Sequence, residues 1–418
     1  MGVIALGGLG GGTEAIAAGG AAAGFGRRST ATTQDQDSAA SASASERRCY
    51  RVLFASPVGD LKGGAERNLI DLLNMPDVDP VLAVPARGPL GAYAEARGIP
   101  VLNYDMGAVA TVHRPLRPHI MLLAVRDAIR AAHQIARLSR EHDCAFVHSN
   151  GMKTHVITGL ARVFFGANVV QHVNDIPYSW LEKCVWRLLR YFADQVIVIS
   201  RPCWPGPLAG NVHIIPSALI VPPGEPPRLE LKPPIRLGFV GRFHPHKGLD
   251  LLIDWVLAAR HAGIDWRLVL RGRASPEDVN YWQRIEARFR EVGIADLITI
   301  EGWKDWQNDW RRVYADIDVL LVPSNWPEPL GRVIMEALGS GVPSIAYPAG
   351  GIPTLVKHGV TGYLADTPSS FVAALGSLLA DPASFQTVRR RGFEFMIEEF
   401  SMPLHYKRIR DIFGLVAG

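Results

Sequence analysis

Glu328 and Glu336 stand eight residues apart in the stretch Pro323-Ser-Asn-Trp-Pro-Glu-Pro-Leu-Gly-Arg-Val-Ile-Met-Glu-Ala337. Glu328 falls in a loop, and a helix is predicted over 331–338 with Glu336 on it, which separates the two carboxylates by about 10 Å along the helix axis. That span suits a long ligand with hydroxyls at both ends, as a nucleotide-sugar has from ribose to hexose. Between the carboxylates, the amides of Leu330, Gly331, Arg332 and Val333 form a helix start whose partial positive charge favours phosphate. A solvated Glu with a chance partner is the bland alternative, and it would be preferred for the pair alone. The helix start at a strand exit favours a site.

Three further clusters also follow candidate strands. Phe239-Val-Gly-Arg-Phe-His-Pro-His-Lys-Gly248 places Arg242 and Lys247 just beyond an apolar run, where two cations can hold a diphosphate. Solvated surface is the competing reading of such a pair. His244 and His246 have no further ligand at metal spacing and read as loop residues. Gly63-Gly64-Ala65-Glu66 lets backbone approach a ligand and opens a helix, an anion site in outline that an ordinary loop imitates. His172 ends the run Val169-Val170-Gln171-His172 and by itself is a plain strand-end histidine.

The elements that position these residues alternate in the manner of parallel strands and crossover helices. Strands are predicted at 51–55, 81–84, 144–148, 169–172 and 195–199, then at 236–240, 267–271, 298–300, 319–322 and 344–346. Helices are predicted at 65–74, 119–140, 152–165 and 180–192, then at 249–262, 276–292, 331–338 and 370–379. The proline-rich run 221–234 suits neither helix nor central strand. The fold class is therefore α/β, with an N-terminal Rossmann-like domain over 49–220, a linker over 221–234 and a C-terminal Rossmann-like domain over 235–392. An amphipathic helical segment over 393–418 caps the assembly. A length of 418 residues fits two such domains.

Composition bounds the partners. There are 44 basic and 40 acidic residues, a net charge of +4, which gives no field suited to nucleic acid. Four separated cysteines form neither a disulfide framework nor a zinc site and fit a reducing cytoplasm. Residues 1–48, Gly/Ala-rich and then Ser/Thr-rich, read as disordered. Their apolar part lacks a basic start and is broken by Gly runs and Glu14, unlike a signal peptide. The run from His113 to His119, with Arg126, Arg130, Arg137 and Arg140 beyond it, makes a basic helix that either meets anionic lipid headgroups or is a solvated face.

Taken together, Gly63-Gly64-Ala65-Glu66, Gly241-Arg242, Lys247-Gly248, Pro323-Ser324, Glu328 through Glu336 and Gly350-Gly351 resemble the group-1 glycosyltransferases, also called glycosyltransferase family 4. The likeness runs from about Arg51 to Phe413. It implies the GT-B architecture, two Rossmann-like domains facing each other across a donor cleft. It further implies diphosphate binding by Arg242 and Lys247, ribose binding by Glu336, sugar-hydroxyl binding by Glu328, and close approach of Gly64 to the phosphates. His172 matches the family histidine beside the donor sugar. The chain departs from the pattern at Gly350-Gly351-Ile352-Pro353-Thr354, where a Glu commonly follows the glycines, and at Leu330, where Phe is common. The resemblance predicts retention of anomeric configuration. With no D-x-D cluster at a strand end, transfer is expected to need neither metal nor other cofactor. A binding protein of the same shape that transfers nothing, or more distantly an epimerase, are the alternatives.

Overall fold

The computed structural model describes residues 49–61, 63–111, 118–208, 210–221, 231–302 and 310–417. The first sheet contains β1 (Tyr50–Ala55), β2 (Val78–Val84), β3 (Val101–Asn103), β4 (Phe146–Asn150), β5 (Val169–Val173), β6 (Gln195–Val198) and β7 (Val212–Ile214). All its pairings are parallel, in the order β3-β2-β1-β4-β5-β6-β7. The second holds β8 (Ile235–Val240), β9 (Trp266–Arg271), β10 (Ile298–Glu301), β11 (Val319–Val322), β12 (Ser344–Ala346) and β13 (Gly362–Leu364), also parallel, ordered β10-β9-β8-β11-β12-β13. Strand β1 is apolar almost throughout because it is central, with Leu53 paired to Val81 on one side and Val147 on the other.

Helices α1 (Gly64–Leu73), α2 (Pro89–Glu95), α3 (Pro118–Glu141), α4 (Met152–Phe165) and α5 (Trp180–Leu189) connect the first sheet. The second sheet is flanked by α6 (Leu249–His261), α7 (Val279–Glu291), α8 (Arg332–Gly339), α9 (Ile352–Leu355) and α10 (Pro368–Leu379). Strand order reverses between β1 and β4 and again between β8 and β11, and crevices for ligands open at the carboxyl ends of such strand pairs. One apolar cluster runs through both halves, joining Trp186, Val198 and Trp204 to Leu330, Ile334, Met335 and Phe400.

The chain ends in two helices, α11 (Pro382–Phe400) and α12 (Met402–Ala417), where the sequence predicts a single one from Phe393. The earlier start has a local cause. Asp381 caps α11 by accepting from the amides of Ala383 (3.2 Å) and Ser384 (3.0 Å), and Pro382 occupies the first helical position. Helix α12 then returns to the first sheet, where Ile409, Ile412 and Phe413 join Tyr50, Val52 and Phe54 in one core. The Phe413 ring lies 4.8 Å from that of Phe146.

Strands β3, β7 and β13 and helix α2 are absent from the sequence-based prediction. Each of the three is a three-residue edge strand that is only partly buried and carries no apolar run, whereas the equally short β12 is internal and fully buried. The segment 1–48, residues 222–230 of the linker and residues 112–117 of the basic run lie outside the described residues.

Candidate active site

A cavity of about 380 Å³ opens where the two strand-order reversals face each other. Its first wall is the start of α1, Gly63 through Glu66, together with Asn68, Asn174 and Asp175. Its second wall combines Lys247, which follows β8, with Ser324, Glu328 and the start of α8 from Leu330 to Val333. Pockets of this size accommodate small organic ligands. Lys247 Nζ donates to Glu328 Oε1 at 2.5 Å, and Ser324 Oγ donates to the same oxygen at 2.9 Å. The Lys–Glu pair therefore enters the cavity already oriented.

The glycines of the two walls differ in kind. A Cβ on Gly64 would meet no atom within 4 Å, and the space beside it belongs to the cavity. A Cβ on Gly350 would fall 2.3 Å from the carbonyl oxygen of Glu328, and one on Gly351 would fall 2.2 Å from that of Pro329. Gly351 N also donates to Glu328 O at 2.7 Å. The Gly350-Gly351 pair is thus a bearing surface for the loop that carries Glu328.

A polar chain crosses the cleft. Arg332 Nη1 donates to Asn68 Oδ1 (3.2 Å) and to Asp71 Oδ2 (3.4 Å) on α1. Asn68 Nδ2 donates to Asn174 Oδ1 (2.9 Å), and Asn174 Nδ2 donates to Asn150 Oδ1 (2.6 Å) at the end of β4. Burial raises the Asp71 pKa despite the neighbouring Arg332 guanidinium. On its other side Arg332 Nε donates to Glu336 Oε1 (3.3 Å), and Tyr314 Oη donates to Glu336 Oε2 (2.9 Å). Burial and then Glu336 drive the Tyr314 pKa well above its ordinary value, so this phenol stays protonated and donating.

The predicted site residues divide accordingly. The cavity collects Gly63, Gly64, Lys247, Glu328, Leu330, Gly331, Arg332 and Val333. Three others are placed elsewhere. Arg242 is exposed and is not on the cavity wall. Glu336 is buried at 3% exposure, engaged by Arg332 and Tyr314. His172 is buried at 1% exposure, with its ring 5.3 Å from that of His148. Burial, reinforced by His148, pulls the His172 pKa well below its ordinary value, and its carbonyl accepts from Asn174 Nδ2 at 3.2 Å. Asn68, Asn174, Asp71 and Tyr314 escape sequence reasoning because isolated amides, a helix Asp and a Tyr carry no spacing signal. At the mouth, Trp326 stacks on His246 (4.0 Å) and packs against Tyr178 (4.8 Å), whose hydroxyl donates across the cleft to Pro327 O (3.3 Å). Among the described residues no group of three or more His, Cys, Asp or Glu is arranged to hold a metal ion.

Two facing Rossmann-like domains with a cavity between their switch points define a protein of GT-B architecture. Comparison with solved structures gives the same fold. The Anabaena protein HepE in complex with UDP and glucose superposes with a TM-score of 0.70 at 22% identity, covering 87% of this chain and 99% of that one. Sucrose-phosphate synthase from Thermosynechococcus elongatus gives 0.66 at 19% identity, covering 87% and 98%. The family model for glycosyl transferases group 1 matches residues 226–394. Curated relatives agree. D-inositol 3-phosphate glycosyltransferase of Segniliparus rotundus is 33% identical over 159 residues, 37% of this chain and 34% of that protein. The lipopolysaccharide core biosynthesis mannosyltransferase LpsB of Rhizobium meliloti is 30% identical over 181 residues, 42% of this chain and 50% of that protein. The chain thus spans a third to a half of the length of these curated relatives.

Proposed function

We propose that the protein is a retaining, metal-independent glycosyltransferase that moves a hexosyl sugar from a nucleoside-diphosphate sugar to a hydroxyl acceptor in the cytoplasm, in peripheral contact with anionic membrane. The observation that carries this reading is the convergence of Lys247, Arg332 and the amides opening α8 on the cavity that Gly63 and Gly64 enter from the other domain. Cleavage of the anomeric C–O bond leaves negative charge on diphosphate oxygens. Cations and amides held in place before the reaction stabilise that charge most where water is excluded.

In this scheme Lys247 and the α8 amides face the diphosphate, and Arg242 swings in from solvent when it binds. Glu328, oriented by Lys247 and Ser324, accepts from hydroxyls of the sugar. Glu336 exchanges its bonds with Arg332 and Tyr314 for the ribose hydroxyls. His172 acts through its carbonyl, which orients Asn174 on the cavity wall. The acceptor oxygen attacks the anomeric carbon on the face the diphosphate leaves, and its proton passes to a departing phosphate oxygen. No residue is assigned as a covalent nucleophile.

A thermal-shift panel of UDP-, GDP- and ADP-sugars identifies the donor, because a ligand specific for the folded protein raises its melting temperature. With that donor, acceptor-dependent release of nucleoside diphosphate is expected to persist in EDTA, and NMR of the product is expected to show the donor's anomeric configuration. Activity abolished by EDTA and restored by a divalent ion, or an inverted product, overturns the corresponding part. A binding protein would release no diphosphate above background, and an epimerase would convert donor without acceptor.

A further inference from the structure

Helices α3, α4 and α5 lie on one face of the first sheet, because the successive crossovers from β3 to β4, β5 and β6 all step in one direction. Their inner sides are buried through Ala131, Ile157 and Trp186. Their outer sides are unlike an ordinary solvated surface. Trp180 is 77% exposed, Tyr191 64%, Phe164 62% and Leu188 58%, with Leu181 and Val163 exposed beside them. The α3 side chains at 122, 125 and 129 continue the pattern at helical spacing. Exposed apolar groups gathered in this way mark a contact surface, whereas single ones do not.

Charge narrows the occupant. The segments 118–141, 152–165 and 180–192 contain nine Lys or Arg against three Asp or Glu, and with Asp105 and Asp194, which pair with Arg130 and Arg162 from neighbouring segments, the balance is +4, as large as that of the whole chain. None of the three acids is spare. Asp127 is buried and accepts from the amide of Ala108, Glu141 pairs with Arg137, and Glu182 accepts from the amide of Ser179 at the start of α5. Lys183 and Arg187 are exposed among the apolar residues of α5, and the Arg190 guanidinium lies over the Tyr191 ring at 4.5 Å. Aromatic rings, aliphatic side chains and cations on one face match the layered chemistry of a bilayer surface, with acyl chains beneath anionic headgroups.

We propose that the α3–α4–α5 face seats the protein on an anionic lipid bilayer, with Trp180, Leu181, Leu188 and Phe164 entering the headgroup boundary and Lys183 and Arg190 meeting lipid phosphates. The seat adjoins the cleft mouth, because Tyr178 lies two residues before α5 and bonds to Pro327 O across the cleft. Among the described residues no helix is long and apolar enough to cross a membrane. That the acceptor is presented from this bilayer rests on the proposed transferase activity; the docking itself does not.

The test is flotation of the full chain with phosphatidylcholine vesicles, with and without phosphatidylglycerol, at low and high salt. Binding is expected only with phosphatidylglycerol and is expected to weaken with salt. Lys183→Gln with Arg190→Gln should weaken it about fivefold per charge removed. Leu181→Ser with Leu188→Ser should abolish it. Unchanged melting temperatures in both variants show that these exposed substitutions spare the fold. No flotation of the wild-type chain at low salt overturns the proposal, and so does equal binding to both vesicle types. A wild-type dimer by light scattering that Leu181→Ser with Leu188→Ser renders monomeric, with no flotation, assigns the face to a second copy of the chain instead. Flotation reads docking even if no transferase activity is found, which separates failure of the membrane contact from failure of the proposed sugar transfer.

Discussion

The two walls of the cleft are built on different principles. The α1 wall leaves room: Gly64 borders open space, and the helix start presents amides. The wall opposite is packed. Lys247 and Ser324 both hold Glu328, and the loop bearing it rests on Gly350 and Gly351 with no space for a methyl group. Glycine pairs that look alike in sequence thus border open space in one wall and the protein's own backbone in the other. Pre-organised charge needs rigid backing, whereas close approach to a phosphate needs clearance.

The largest expected effect concerns what lies behind the α1 wall. His148 and His155 are fully buried in or beside β4, and burial lowers both pKa values to about 3. Unfolded chains bind these protons below about pH 6.5. The folded protein resists until about pH 3, so stability is complete above 6.5 and declines progressively as pH falls toward 3. Urea titrations at stepped pH should show a loss on the order of 5 kcal/mol by about pH 4.5 from this pair. A flat profile over that window would mean that the region opens to water more readily than its packing implies.

Lys247→Met should leave folding intact and reduce turnover by about 10²–10³-fold, the range found when one preorganised group that stabilises transition-state charge is lost. Steady-state kinetics with the identified donor checks this, and a loss confined to melting temperature would assign Lys247 to structure alone. Gly351→Ala should destabilise by about 3 kcal/mol, since the added methyl group meets backbone that cannot yield without moving the Glu328 loop. Gly64→Ala should do the reverse, adding about 0.5 kcal/mol of stability as alanine replaces glycine in a helix, while donor affinity falls. Calorimetry with donor titration reads both signs together. The same sign of stability change at Gly64 and Gly351 would erase the contrast between the walls.

Sequence patterning located the central strands, the longer helices and eight of the residues that line the cavity, since β-strand runs and glycine–helix junctions are local signals. The edge strands β3, β7 and β13 are only partly buried, so no apolar run marks them, unlike the equally short but buried β12. Side-chain direction was equally hidden. Arg332 was identified for its backbone amide, yet its guanidinium bridges to Asn68 and Asp71, more than 260 positions earlier in the chain. Glu336 was expected to face a ligand, but Tyr314 and Arg332 occupy both its oxygens. Gly350-Gly351 carried the family resemblance correctly, although only packing reveals the task those residues perform.

Helix α12 gives the chain an order of assembly. Ile409, Ile412 and Phe413 complete the core over β1, so the earliest-made sheet cannot close its hydrophobic interior until the entire second domain has been translated. During synthesis that apolar face waits for its cover. Expression of residues 49–220 alone should accordingly yield aggregate, and adding the α12 peptide in trans should rescue solubility.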